Sequence, residues 1–540
     1  MIFINGEVTG KEDLQHFRTE GFEAYFSGFF FLPGFPNGVD SLNELIKQIE
    51  TNGLDIVRDL LGVYFIVIRD LRNEISYIFI DNSGLFKAYL FDQTISTSFL
   101  ELIDNSETPF NLNKESLIEF LHFGFVHFDH TLCQGISKLE PQYIYTMDHG
   151  GAIDRRDKGI SRINEGSGTD PNTFFKHLHN SIKDDKVSID LTGGTDSRLI
   201  VSALCSHKAD FELAISGVPG NRDIKIGKKI SDKIEKDFYP YYHLVDDISS
   251  ESLENLFELT DGQVDIIVYQ RIYELQKSRS GRDISVHLSG VGGELYKDFW
   301  WLQDFPRYNK KTADLTKLYQ LRIESIAFEH SKLDKSLQTL SKDFKRRTLG
   351  KLQDLILSSN SKTYDNIYYY YKMQTSAGQY LTISNRIFKS YAPLLELELV
   401  KFGFNLPRKK RFYNIFHREF ISNSCNSISR IRTDAGISCS SVFILMILDL
   451  FSYGINLSIR LLKQIFRKVF KKTIFQESPN NRQLYPDVRN LDMIDELLIV
   501  LKEHNILNEN VCKDQLSNNL LGKLITVGLF LKKYNSKLQM

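Results

Sequence analysis

Apolar and polar positions alternate with a short period through roughly the first 150 residues. The runs EAYFSGFFFL (23–32), GVYFIVIRD (62–70), EISYIFIDN (74–82), KAYLFDQ (87–93) and QYIYTMD (142–148) are rich in β-branched and aromatic residues and are bounded by Gly, Asn and Asp, which predicts strands of one or two antiparallel sheets. Helical spacing interrupts them at 41–50 and 113–124. Residues 148–172 are Gly-, Asp- and charge-rich without a period, so a linker is expected there. The pattern then changes: VSIDL (187–191), LAIS (213–216) and ISVHL (284–288) are separated by helix-length segments such as 223–237, the signature of a parallel α/β sheet. From about 310 onward the chain is mostly helical, and it holds no internal repeat. VFILMILDLF (442–451) is broken by Asp449 and is too short to cross a bilayer, so it is expected to be a buried helix. The following LSIRLLKQIFRKVFKK (457–472) is basic and amphipathic. A solvated helix face is the preferred reading there over contact with a membrane surface.

Composition narrows this picture. Among 540 residues, 67 Lys and Arg balance 68 Asp and Glu, which removes any global attraction to nucleic acid. With 42% hydrophobic and 25% charged residues the chain is ordinary globular protein. Five cysteines are scattered without a C-x-x-C pair, and no secretory pattern opens the sequence, so neither a zinc cage nor a disulfide framework is expected and the cytoplasm is the expected compartment.

The densest chemistry lies in LTGGTDSRLI (191–200). Val187, Ile189 and Leu191 form a short strand that runs into Thr192, Gly193, Gly194, Thr195, Asp196 and Ser197, after which RLIVSAL starts a helix. Adjacent glycines let backbone N–H groups approach phosphate oxygens, and the helix presents its positive end to them. Thr192 and Ser197 add hydroxyl donors, and Asp196 is suited to a Mg²⁺ that bridges phosphates. No Lys-Ser or Lys-Thr pair follows the glycines, so this is not a Walker loop.

Thr192–Ser197 resembles the Ser-Gly-Gly-x-Asp-Ser pyrophosphate loop of the asparagine synthetase and β-lactam synthetase superfamily. Further segments follow in that family's order. ELAISGVPGNRDIKIGKKISDKI (212–234) is similar to its second strand and helix, where adenine lies against backbone near Ala214–Ser216. HLSGVGGEL (287–295) resembles its second glycine motif, with Gly290 and Gly292 at the nucleotide and Glu294 as the second Mg²⁺ ligand beside Asp196. SYAPLLELELVKFGFNLP (390–407) is similar to its Arg-x-Pro-Phe-Leu-Asp segment, and residues 62–91 and 111–148 resemble its glutamine-hydrolysing domain. The resemblance implies an N-terminal-nucleophile-type αββα sandwich over 1–150. It implies an adenine-nucleotide α-hydrolase-like (PP-loop) synthetase domain with a helical C-terminal extension over 170–540. Its nucleotide site comprises Leu191, Thr192, Gly193, Gly194, Asp196, Ser197, Ser216, Gly290 and Gly292, with ATP and Mg²⁺ as cofactors.

The chain departs from that family at three places. Ile2 stands where the glutaminase has its nucleophilic cysteine, which implies that glutamine hydrolysis is lost. Val291 replaces the residue tied to handling the attacking amine, and valine neither accepts nor donates a proton, which leaves the general base unassigned. SISRIRTDAG (427–436) offers Arg430 and Arg432 where the family has a pyrophosphate-stabilising lysine. The expected activity is an ATP-dependent, AMP-forming amide ligase that joins a small-molecule, glycan or peptide carboxylate to an amine or ammonia. A non-catalytic nucleotide-binding homologue and asparagine synthesis from aspartate are the alternatives. Nucleic acid is not an expected partner, a homodimer is compatible with the pattern, and any membrane contact would involve 442–472. Substrate contacts are expected from TDGQVDIIVYQR (260–271), and the tyrosine run 368–371 is expected to be mostly packing.

Overall fold

The computed structural model describes residues 2–4, 7–9, 15–148, 150–242, 248–300, 304, 310–324, 328–452, 455 and 486–539. The basic segment 457–472 lies outside the described residues.

In the N-terminal region the alternating runs build two antiparallel sheets. One has six strands, ordered Ile153–Asp157, Tyr143–Met147, Ile75–Ile80, Leu61–Asp70, Phe22–Phe31 and Gln15–Arg18. The other has five, ordered Ser137–Lys138, Tyr89–Phe91, Thr94–Ser96, Ile2–Ile4 and Glu7–Thr9. Residues 153–157 correct the expected linker: IDRRD pairs with Tyr143–Met147 as an edge strand, and its polar composition reflects exposure at that edge. The period-2 pattern sends Phe22, Phe26, Phe30, Tyr64 and Ile66 to one face of the six-stranded sheet, where the helix Val39–Asn52 covers them with Leu42, Leu45 and Ile49. The alternate residues Phe29, Phe31, Val63 and Phe65 face the remainder of the chain and share a core with Phe174 and Tyr391. The ring centroids of Phe29 and Tyr391 lie 5.1 Å apart.

A five-stranded parallel sheet carries the second half. Its strands are β1 (Val187–Asp190), β2 (Glu212–Gly217), β3 (Phe238–Tyr242), β4 (Val286–Leu288) and β5 (Lys389–Tyr391), in the order β3-β2-β1-β4-β5. Every pairing in it is parallel. The chain order reverses direction across β1, which leaves a crevice above the carboxyl ends of β1 and β4 where ligands of open α/β sheets bind. The helices that shape this crevice are α1 (Asp196–Ser206), α2 (Arg222–Ile234), α3 (Ile266–Ser280), α4 (Gln374–Ser384) and α5 (Ile415–Ser424). The mixed α/β expectation therefore stands, with a parallel sheet and flanking helices.

A further helix, α6, spans 443–452. Burial of this helix is the expectation that the structure overturns. Phe443, Ile444 and Phe451 are 74%, 68% and 70% exposed, whereas Asp449, the residue that breaks the apolar run, is buried. Asp449 accepts from Arg418 Nη1 at 3.0 Å and from the Ser438 hydroxyl at 2.6 Å, so a buried charge pair rather than apolar packing holds the helix. Among the described residues no helix is long and apolar enough to cross a membrane.

Candidate functional site

β1 ends at Asp190, and Leu191 extends its ladder by donating its N–H to the Ala214 carbonyl at 2.9 Å. The chain then turns through Thr192–Thr195 into α1. The Ser197 hydroxyl accepts the Thr192 N–H at 3.1 Å, and the Thr192 hydroxyl accepts the Gly194 N–H at 3.3 Å. The Gly193 N–H donates to Asp223 Oδ1 at 3.2 Å, so a carboxylate from α2 sits where an anion would be received.

The second glycine motif packs directly on the first. A Cβ on Gly290 would lie 2.9 Å from the Ser197 backbone, and a Cβ on Gly293 would lie 2.2 Å from the Asp196 carboxyl carbon. Only glycine permits that approach. Two segments almost a hundred residues apart thus form one wall of a cavity of about 680 Å³. Of the residues expected at the nucleotide, Leu191, Thr192, Asp196, Ser197, Ser216 and Gly290 line this cavity, as does Glu294. Gly193, Gly194 and Gly292 do not line it; they shape the turns behind it. Val291 lies at the cavity and is 41% exposed.

Arg430 and Arg432 are exposed and do not line the cavity, and Arg432 Nη1 donates to the Gly436 carbonyl at 3.1 Å. Their segment nevertheless reaches the loop. The fully buried Arg198 donates to the carbonyls of Ile431 (2.5 Å), Arg432 (3.2 Å) and Gly193 (3.2 Å), and the Asp434 N–H also meets the Gly193 carbonyl.

The cation that does reach the acidic residues is Lys297, which sequence reasoning missed. Its Nζ lies 2.7 Å and 2.9 Å from the two Asp196 oxygens, and His417 Nε2 lies 3.0 Å from Asp196 Oδ1. Burial pushes the Asp196 carboxyl up, but Lys297 and His417 outweigh it and hold it below the usual carboxylate range. Burial likewise pushes Lys297 down, and Asp196 and Glu294 more than offset it, so the ammonium is retained. Glu294 accepts from the Tyr368 hydroxyl at 2.9 Å. Most of the tyrosine run is packing, with Tyr369 and Tyr371 buried, but Tyr368 reaches the site from the wide π-helical turn Tyr368–Met373. As placed, both oxygens of Asp196 are engaged by buried cationic or imidazole groups. The expected Mg²⁺ pair, Asp196 with Glu294, therefore does not fit a shared ion, and among the described residues no cluster of three or more His, Cys, Asp or Glu forms a metal site.

The opposite wall comes from α3 and α4. Val268, Arg271, Ile272 and Leu275 recur at i, i+3, i+4 and i+7, and Ala377, Tyr380, Leu381 and Ser384 do the same along α4, with Met373 lining the cavity from the turn just before it. Of the segment 260–271, Val268 and Arg271 line this cavity. Arg279 is neutralised by Asp190, whose other oxygen lies 3.0 Å from His287 Nε2. Burial pushes the Asp190 carboxyl up, yet His287 and Arg279 hold it low. His287 Nδ1 lies 3.3 Å from both Gln276 Nε2 and Ser390 Oγ, and its Nε2 faces the Asp190 carboxylate. Arg271, half-buried, makes no ion pair or hydrogen bond with a described residue.

No protein-family model matches this chain, and no curated protein matches it. Among solved structures, NMN synthetase from Francisella tularensis aligns at 13% identity over 37% of this chain and 93% of its own, with a TM-score of 0.20. A glutamine-dependent NAD+ synthetase from Acinetobacter baumannii, solved in complex with ADP, aligns at 12% identity over 46% of this chain and 64% of its own, with a TM-score of 0.18. Likenesses this slight carry no inference about activity.

Proposed function

We propose that the chain is an ATP-dependent, AMP-forming amide ligase related to the asparagine synthetase and β-lactam synthetase superfamily. The observation that carries this reading is the contact of the two glycine motifs, Gly290 on Ser197 and Gly293 on Asp196, around a cavity that Ser216 also lines. ATP is read as lying across the ends of β1 and β4, with its phosphates at Thr192–Ser197 and the adenine at Ala214–Ser216. A substrate carboxylate oxygen attacks the α-phosphorus, the bond to pyrophosphate breaks, and an acyl-adenylate forms. An amine nitrogen then attacks the acyl carbon and displaces AMP. Charge that develops on the leaving pyrophosphate would be met by the Ser197 hydroxyl, the amino end of α1 and the Lys297 ammonium. Mg²⁺ would accompany the nucleotide's phosphates, and no step here is assigned to it. Val291 supplies no base, so the amine is read as arriving unprotonated. Arg271, which pairs with no described residue, lines the cavity beside Val268, Ile272 and Leu275 and is suited to an anionic group of the acid.

The finer reading of the N-terminal half, an inactive glutamine-hydrolysing sandwich, rests on the resemblance of 62–91 and 111–148. The alternative of a non-catalytic nucleotide-binding homologue draws support from Val291 and from the engagement of the Gly193 N–H by Asp223. Product analysis separates these readings. Incubation with ATP and a panel of carboxylic acids with hydroxylamine as acceptor is expected to release AMP and a hydroxamate. Release of ADP, or ATP binding without turnover on any acid, would contradict the ligase reading.

A further inference from the structure

Nearly half of the exposed large apolar side chains among the described residues fall between 442 and 455. Five of them form one stripe of α6. Phe443, Ile444, Ile447, Leu448 and Phe451 follow i, i+1, i+4, i+5 and i+8, whereas the opposite face, with Met446 and Asp449, turns inward. The orientation is pinned at two points: the Tyr413 hydroxyl donates to the Met446 carbonyl at 3.4 Å, and Arg418 and Ser438 hold Asp449. The apolar stripe is therefore presented outward by a buried charge pair.

The elements bonded to α6 bring cations around it. Arg408 and Lys409 are exposed on the short helix Arg408–Arg411, which leads through the exposed Phe412 to Tyr413. Arg430 and Arg432 are exposed on the loop that leads to Ser438. Against them stand the exposed Asp434 and the partly buried Glu419, the latter paired with Lys410. An outward apolar stripe held by segments that carry exposed cations matches a surface whose outer layer is anionic and whose interior is hydrocarbon. Because the described part of α6 is apolar along one face and carries the buried Asp449 on the other, it would lie in the interface rather than cross it.

We propose that the outward face of α6 docks on an anionic lipid bilayer. The docking face is coupled to the glycine motifs through α5, where Arg418 holds Asp449 and its neighbour His417 lies against Asp196. Docking thus sets the cavity close to the bilayer surface.

The test is flotation of the full chain with vesicles of phosphatidylcholine alone and with vesicles that also contain phosphatidylglycerol. Binding to the anionic vesicles is expected to be roughly tenfold stronger than to the neutral ones and to weaken with salt. The double variant Phe443→Ser, Phe451→Ser alters only exposed side chains and is expected to lose roughly tenfold in vesicle binding while its melting temperature stays that of the parent. Val39→Ser, an exposed apolar position elsewhere, is expected to bind as the parent does. Equal binding to both vesicle types, no binding to either, or unchanged binding of the double variant would overturn the proposal. So would sedimentation showing a dimer that the double variant dissolves without any vesicle binding, which would make α6 a surface for a second copy.

Discussion

With Lys297 Nζ 2.7 Å from one Asp196 oxygen and the pair largely enclosed, Lys297→Met leaves a carboxylate without its counter-charge. Loss of about 3 kcal/mol of stability is expected by denaturant unfolding, since breaking one side of a buried pair exceeds the net worth of the pair. Arg271→Gln is expected to raise the KM for the acid about tenfold with kcat nearly unchanged, because the arginine would bind ground state and transition state alike. Steady-state kinetics with the preferred acid checks this, and an equal fall in kcat would instead place Arg271 at the reacting atoms. At this scale the sequence exposed the glycine loop, Ser216 and Glu294, because close backbone approach demands particular residue types at fixed spacing. It concealed Lys297 and His417, since what brings them to Asp196 is the packing of α5 and the turn after Gly293 rather than any local pattern. Arg430 and Arg432 show the reverse: their segment meets the Gly193 carbonyl through the Asp434 N–H, but the guanidinium that anchors it is that of Arg198.

Among the elements, the tightest tolerance is between the two glycine motifs. In Gly290→Ala the new methyl would stand 2.9 Å from the Ser197 backbone, which no flexible side chain can relieve. A loss of about 1–3 kcal/mol is expected, together with much weaker ATP binding by calorimetry. For α6, Asp449→Ala is expected to destabilise the chain and to speed amide hydrogen exchange over 443–452 well beyond the change in β1, because it strips Arg418 of its partner. Periodicity located β1, β2 and β4 but not β3 or β5. Pro240 interrupts the edge strand β3, and β5 is a three-residue stretch inside what resembled a motif. Hydropathy misplaced α6 because it counts apolar side chains and not the one carboxylate whose buried partner orients the helix.

Across the whole molecule, Glu396 ties the N-terminal sheet to the parallel sheet. Its carboxyl accepts the Gly62 N–H at 2.9 Å, the Tyr391 hydroxyl at 2.8 Å and the Ser83 hydroxyl at 3.1 Å. Burial pushes it up to about 7 despite these donors. A carboxyl with a raised folded-state pKa gives stability that is fully present below about 4.5 and is lost as pH rises through about 7, here on the order of 3 kcal/mol. Unfolding free energy measured between those limits should fall with pH in the parent and lose that slope in Glu396→Gln. A parent with no such slope would show that Glu396 is ionised in the fold. The carboxyl end returns to the N-terminal region, where Leu538–Gln539 pairs with Phe110–Asn111. No local pattern foretells a pairing between segments so far apart in sequence.

In the proposed function the two glycine motifs and Lys297 form a site where a carboxylate is adenylated at the expense of ATP. Exchange of labelled pyrophosphate into ATP measures that step alone, without the amine. Exchange is expected to depend on an added carboxylic acid and to fall at least about a hundredfold in Lys297→Met. Acid-independent exchange, or exchange that persists undiminished in that variant, would contradict it.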